Sequence, residues 1–163
     1  MTAGEIRVLL ADDHPVVRVG LRALLEGEPD IRVVGEAGSA DEAVELVREL
    51  QPDVAVLDIS MPGNGLEALR RIAALGLPTR ILILTVHAEE RYLLPVLQAG
   101  GSGYVRKSSL HTDLVEAIRT VARGEVFIDQ AAARTLLQGY LERARTGEVQ
   151  DPAQLLSERE REV

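Results

Sequence analysis

The sequence predicts an α/β domain in which helices cover both faces of a doubly wound parallel sheet. Three observations carry that prediction. Short, uninterrupted apolar runs recur at regular spacing, amphipathic helical patterns lie between them, and a hydrophobic fraction of 46% is reached with only 2% aromatics. A core of Val, Leu, Ile and Ala suits a helix-covered parallel sheet better than an aromatic-rich β-sandwich. With 163 residues the chain suffices for one well-packed domain plus an appendage and is short for two full domains.

The apolar runs are Ile6 to Ala11, Ile31 to Val34, Val54 to Leu57 and Ile81 to Leu84. Each is too short for a helix and too continuous for a half-exposed strand, which is how a strand buried on both faces reads. A weaker fifth strand, Gly103 to Arg106, follows the turn-forming segment at residues 99–103. Between the runs, three sets of residues fall on single helical faces: Val17, Leu21, Leu24 and Leu25; Ala43, Leu46, Val47 and Leu50; Leu114, Ala117, Ile118 and Val121. Pro15 suits a first helical position, Ser39 with Glu42 forms a capping box, and Gly124 suits a left-handed helix end. Strand and helix thus alternate five times. The core is expected to end near Ile128, followed by a helix from Gln130 to Arg145 and a polar, linker-like stretch at residues 146–152.

Charge and composition narrow the function. A net charge of −8 argues against this stretch itself gripping nucleic acid or an anionic membrane, since phosphates demand a concentrated basic face. The lack of cysteine removes disulfides and thiolate metal sites and fits a reducing cytoplasm. No apolar run approaches the roughly 18 to 20 residues of a membrane span, and the first residues lack the pattern of a secretion signal. A soluble, unprocessed, cytoplasmic protein is expected.

In an open α/β sheet, ligands bind beyond the carboxyl ends of the strands. Strand one ends in Asp12 and Asp13, strand three in Asp58, strand four in Thr85, and Lys107 follows strand five. Singly, each has a plainer role: Asp12 and Asp13 as turn or capping residues, Asp58 as a loop start, Thr85 as ordinary strand chemistry, Lys107 as a solvated charge. Together they place three carboxylates, a hydroxyl and an ammonium at one rim. Clustered carboxylates repel unless a cation compensates, and an all-oxygen site beside a lysine suits Mg2+ better than zinc. Magnesium and lysine neutralise phosphoryl oxygens while a carboxylate acts as nucleophile, so the set is equipped for phosphoryl transfer through an aspartyl phosphate.

Four segments carry a resemblance: Leu10-Ala-Asp-Asp-His-Pro-Val-Val-Arg, Leu57-Asp-Ile-Ser-Met-Pro-Gly, Leu84-Thr and Gly103-Tyr-Val-Arg-Lys. They closely resemble the receiver domains of two-component response regulators over residues 5 to about 128, and the Ala11-Asp-Asp-His-Pro variant is typical of the NarL/FixJ subfamily. The resemblance implies a flavodoxin-like (CheY-like) five-stranded parallel sheet of order 2-1-3-4-5 with a C-terminal linker helix. It makes Asp58 the phosphoacceptor and Asp13 a direct magnesium ligand, with Asp12 acting mainly through water and Ser60 offering its backbone carbonyl. Thr85 and Lys107 would hold phosphoryl oxygens. Tyr104 matches the aromatic that turns inward with the threonine to couple the site to the face of the fourth helix, fifth strand and fifth helix. Ser60, Val86 and His87 sit where receivers tune access and phosphate lifetime. His87 is also weighed as a rival acceptor or metal ligand, against its plainer reading as a solvated loop residue.

Some features depart from the family pattern. Met61-Pro-Gly-Asn-Gly65 is one residue shorter than the usual loop, so the third helix is expected to start displaced or ragged. Val86 stands where a small residue is common and narrows access. Ser108 replaces a usual proline and removes the reason for a cis peptide. Pro95 is expected to kink or shorten the fourth helix.

The predicted function is therefore a phosphorylation switch, not an enzyme with turnover: a sensor histidine kinase donates to Asp58 and the new charge stabilises an active conformation. A pseudo-receiver that binds partners without phosphorylation is the alternative. A haloacid-dehalogenase-type phosphatase would need a second carboxylate two residues after Asp58, where Ser60 stands. Residues 1–128 are assigned to the receiver and 129–155 to a helical linker that docks, pairs with a second copy or swaps. Residues 156–163 resemble the opening of a LuxR-type helix-turn-helix domain, through which alone the intact regulator would meet DNA.

Overall fold

A computed structural model describes residues 5–85, 95–128 and 130–146. Its strands are β1 (Ile6–Ala11), β2 (Ile31–Ala37), β3 (Val54–Asp58), β4 (Arg80–Thr85), β5 (Gly103–Arg106) and β6 (Phe127–Ile128). The helices are α1 (Pro15–Glu26), α2 (Ala40–Leu50), α3 (Gly65–Ala74), the helical residues 95–98 (α4), α5 (Leu110–Ala122) and α6 (Gln130–Thr146). All strands are parallel and ordered β2-β1-β3-β4-β5-β6.

The apolar runs are continuous because both sheet faces are covered. Alternate residues divide each strand between two cores. Leu9, Ala55, Leu57, Ile81, Ile83 and Tyr104 pack with Ala43, Val47, Leu69 and Ile72 of α2 and α3. Val8, Leu10, Val54, Val56, Leu82, Leu84 and Val105 pack with Leu21 and Leu25 of α1 and Leu114, Ile118 and Val121 of α5. Each fully buried aliphatic side chain contributes about 1.5–3 kcal/mol, so this two-sided burial supplies most of the stabilisation of the sheet.

Local signals behave as the sequence predicts. The Ser39 hydroxyl accepts from Glu42 N, and the Glu42 carboxylate returns to Gly38 N at 2.6 Å, one residue earlier than a standard capping box. Gly124, at φ 86°, ends α5 in the left-handed conformation, with Glu125 N bonded back to Thr120 O.

The expected five-strand order, 2-1-3-4-5, is present, and a short sixth strand is added at its β5 edge. After Gly124 the chain returns along the β5 edge, where Phe127 N donates to Ser102 O at 2.9 Å and Phe127 and Ile128 pair with Gly103 and Tyr104. A two-residue strand is too short to show periodicity, and a Cβ on Gly103 would stand 3.0 Å from Phe127 O, so the glycine admits the added strand.

The third helix is not ragged despite the short loop. Asn64, at φ 73°, accepts from Leu66 N through its side chain at 2.8 Å, and Gly65 N donates to Ile59 O at 3.0 Å. The missing residue is accommodated by two successive residues at positive φ, Gly63 at 85° and Asn64 at 73°, types that tolerate that conformation.

Pro95 opens the described α4 residues, with Ala99 N bonded to Pro95 O. The residues before it, where a kink would fall, lie outside those described. No peptide bond is cis among the described residues.

One cross-link ties α5 to the turn before β2. The Arg119 guanidinium holds Asp30 through two bonds, of 2.8 and 2.9 Å, and Glu28 at 2.7 Å. The hydrogen bonds to Asp30 and then Glu28 raise the Arg119 pKa, and the bond from Arg119 holds the Asp30 carboxyl below its usual range. These groups are about one-third exposed, so Arg119→Ala is expected to cost about 1 kcal/mol. A depressed carboxylate pKa stabilises above the unfolded value of 3.8 and loses its contribution as pH falls through the lower folded value. The stability gap between the two proteins in urea melts should therefore close below that pH.

Candidate functional site

The strand order reverses direction between β1 and β3, and the carboxyl ends of these two neighbours form the switch point of the sheet. Asp12 follows β1 and Asp58 ends β3, and both are fully buried. Buried carboxylates demand compensation. It comes from Lys107, in the short 3-10 turn after β5, whose Nζ lies 3.0 Å from Asp58 Oδ2 and 3.3 Å from Asp12 Oδ2. Burial disfavours the ammonium, but the hydrogen bond and charge of Asp58, then of Asp12, outweigh it and raise its pKa above the ordinary lysine range.

The remaining contacts set the orientation of the carboxylates. Asp12 Oδ1 accepts from His14 N at 2.8 Å and lies 3.1 Å from His14 Nδ1, which is also 3.1 Å from Asp13 Oδ1. Asp58 Oδ1 accepts from Ser60 N at 3.2 Å, and the Ser60 hydroxyl lies 3.1 and 3.2 Å from the two Asp58 oxygens. His14 was not among the residues singled out from the sequence. Its place directly after Asp12-Asp13 and before a helix-opening proline was the available signal.

The donor set fits a hard divalent cation. Ligand atoms of Asp12, Asp13, His14 and Asp58 lie within 4.8 Å of one another. Asp12 Oδ2 and Asp13 Oδ1 are buried yet accept no well-formed hydrogen bond, Lys107 being close to the former but poorly aligned. Carboxylate oxygens left this way are compatible with magnesium, which takes oxygen ligands and retains several waters.

Thr85, the last residue of β4, is buried and sits one position beyond Leu84, the cross-strand partner of Asp58. Tyr104 is fully buried between Ile83 and Ile128 in the strand register and belongs to the core cluster that includes Val96 of α4. The structure therefore brings Asp12, Asp13, Asp58, Ser60 and Lys107 together, with Thr85 at the neighbouring strand end. Val86 and His87 lie outside the described residues. Among the described residues, no helix is long and apolar enough to cross a membrane.

Replacing Lys107 by Met keeps the aliphatic stem but leaves Asp12 and Asp58 buried without their cation, at an expected cost of about 3 kcal/mol. A raised lysine pKa stabilises fully below the unfolded value and is lost as pH rises through the higher folded value. Thermal melts above about pH 10 should fall more steeply for the unsubstituted chain than for Lys107→Met.

The chain is similar to known proteins in sequence and fold. Residues 8–119 match the family profile of the response regulator receiver domain. The chain is 39% identical over 163 residues to the oxygen regulatory protein NreC of Staphylococcus epidermidis, covering 97% of this chain and 75% of that protein. It is 41% identical over 159 residues to the response regulator UvrY of Escherichia coli, covering 97% and 72%. Among solved structures, a LuxR-family two-component response regulator from Aurantimonas superposes with a TM-score of 0.81 at 40% identity, over 84% of this chain and 99% of that one.

Proposed function

Because the chain belongs to the response regulator receiver family, with relatives of the NarL/LuxR type, we propose that it is a phosphorylation switch charged at Asp58 by a sensor histidine kinase. The observation that carries this reading is the single ammonium of Lys107 held between two fully buried carboxylates, with a third carboxylate at the same rim. That placement is costly for a purely structural ion pair and useful for transferring a phosphoryl group.

In the transfer, an Asp58 carboxylate oxygen attacks phosphorus while the bond from phosphorus to the donor's imidazole nitrogen breaks; with a proton already on the donor's other ring nitrogen, the products are an aspartyl phosphate and neutral imidazole. Lys107 turns from the carboxylate to a phosphoryl oxygen, and Thr85 takes another. Asp13, Asp58 and the Ser60 backbone carbonyl, with Asp12 mainly through water, would hold Mg2+, which would neutralise charge on the phosphoryl oxygens. The Ser60 hydroxyl, now on the free carboxylate, must yield as the new bond forms, so Ser60 together with Val86 and His87 sets how fast the phosphate arrives and leaves. Tyr104 couples Thr85 to the surface beside α4, β5 and α5. Its complete burial, opposite Ile83 and two residues before Thr85 in the β4 register, supports an inward-facing aromatic.

The output is transcriptional control, exerted by a helix-turn-helix domain beginning near residue 156. The signalled state is a homodimer, with α6 as the connection between domains. Incubation with acetyl phosphate and magnesium should add one phosphoryl group per chain by intact mass, mapped to Asp58 by fragmentation, and the adduct should vanish with EDTA. A chain that binds magnesium yet gains no adduct would favour the pseudo-receiver.

A further inference from the structure

The side chain of Arg18 sits behind the acidic rim, not in it. Its Nη1 donates to the backbone carbonyl of Asp12 at 2.8 Å and reaches that of Ala37, the last residue of β2, at 3.4 Å. Asp12 N donates to the same Ala37 carbonyl at 2.9 Å, so the guanidinium closes a bridge across the ends of β1 and β2. Arg18 lies one turn into α1, where its N–H bonds to His14 O at 3.0 Å, and Nε stands 3.5 Å from Glu36 Oε1. Glu36 is held in turn by Arg22. Space for the group exists because residue 38 is glycine: a Cβ there would come within 3.0 Å of Arg18 Nη1.

We propose that Arg18 is a positioning residue that locks the β1–α1 turn in the shape in which Asp12 and Asp13 receive a divalent cation, without touching that cation. The inference rests on the magnesium reading of the rim. The Asp12 carbonyl and the Asp13 amide share one rigid peptide plane. Fixing the carbonyl therefore fixes the direction in which Asp13 leaves the turn. The Asp12 carboxylate depends on the same turn, because its Oδ1 is anchored by His14 N at 2.8 Å. Magnesium demands near-ideal octahedral geometry, so a small rotation of that plane costs affinity.

Charge and position predict opposite signs. As a nearby cation, Arg18 repels magnesium, and its removal on electrostatic grounds alone would tighten binding. As a clamp, its removal weakens binding; Nη1 alone reaches both carbonyls while Nε faces Glu36, and a lysine ammonium, ending one bond nearer the backbone and lacking Nε, does not reproduce that placement.

The test is calorimetric titration of the full chain with magnesium chloride, with folding checked by circular dichroism. Arg18→Ala and Arg18→Lys should both weaken binding by about ten-fold, the lower range for partners that orient metal ligands. Arg22→Ala, which removes one of the two cations on Glu36 but leaves the Asp12 carbonyl held, should bind as the unsubstituted chain does. Amide exchange gives a readout independent of metal: the Asp12 and His14 amides should exchange faster in Arg18→Ala, with core strand amides unchanged.

Unchanged or tighter binding in Arg18→Ala, or an equal loss in Arg22→Ala, would overturn the proposal. Failure of the unsubstituted chain to bind magnesium would instead sink the functional reading, and unaltered exchange at Asp12 and His14 would then dispose of the clamp as well.

Discussion

Asp58→Asn is expected to fold, to gain stability in magnesium-free buffer and to accept no phosphoryl group. The loss of reaction follows from chemistry, since a carboxamide oxygen cannot supply the nucleophilic pair at phosphorus that a carboxylate does. The gain in stability follows from a count of charges. The rim holds three carboxylates within 4.8 Å and one ammonium. Neutralising Asp58 removes one attraction, to Lys107, and two repulsions, from Asp12 and Asp13, and it ends the burial of one charge. Lys107 keeps Asp12 as its partner at 3.3 Å, and Asn preserves an oxygen for Ser60. The balance favours the variant by about 2 kcal/mol, within the range seen when buried charges are replaced by neutral groups. Magnesium should reverse the order, because a cation that binds the folded chain alone stabilises it in proportion to affinity, and the variant has lost one ligand. Urea melts of both proteins with EDTA and with magnesium test the stability claim. An adduct on the variant after acetyl phosphate treatment would refute the assignment of Asp58, and a lower midpoint with EDTA would refute the charge argument.

The sequence made the two-sided sheet legible because burial on both faces erases polar alternation, leaving runs such as Ile81 to Leu84 that resemble nothing else of that length. The rim was legible for a related reason. Charged residues directly after such runs have no place in a core, so Asp12, Asp58 and Lys107 stood out once their strands were known. What escaped was set by backbone geometry or by contacts between distant residues. Phe127 and Ile128 form a strand only because the β5 edge is open to them. His14 read as the residue before a proline, and its approach to two carboxylates depends on how the turn folds. Arg18 ends the Leu10-to-Arg18 segment that carries the resemblance, but nothing in sequence spacing shows its side chain reaching the carbonyls of Asp12 and Ala37. The shortened loop was read as a defect because a gap shows what is missing and not which φ replaces it.

That loop supplies an expected loss of stability as large as that of Lys107→Met. A Cβ on Gly65 would lie 2.4 Å from the Asp58 carbonyl oxygen, 2.6 Å from Ile59 Cα and 2.9 Å from Asp58 C. All three are backbone atoms of the segment that carries the Asp58 carboxylate, so no flexible side chain can give way. Helix propensity would reward alanine over glycine in α3 by up to about 1 kcal/mol. Overpacking against fixed backbone outweighs that gain, and Gly65→Ala is expected to lose about 3 kcal/mol net. The strain should also reach function. Relief requires Asp58 and Ile59 to shift, and Ile59 N is bonded to Leu84 O at 3.0 Å, so the ends of β3 and β4 move together. The acetyl phosphate reaction should therefore slow in molecules that remain folded. Gly20→Ala is the matched control. Gly20 lies inside α1 with nothing within 4 Å of the added carbon, so the same substitution there should stabilise by up to about 1 kcal/mol. Equal urea midpoints for the two variants would show that the β3–α3 turn has room for the added carbon, against the contacts with Asp58 and Ile59.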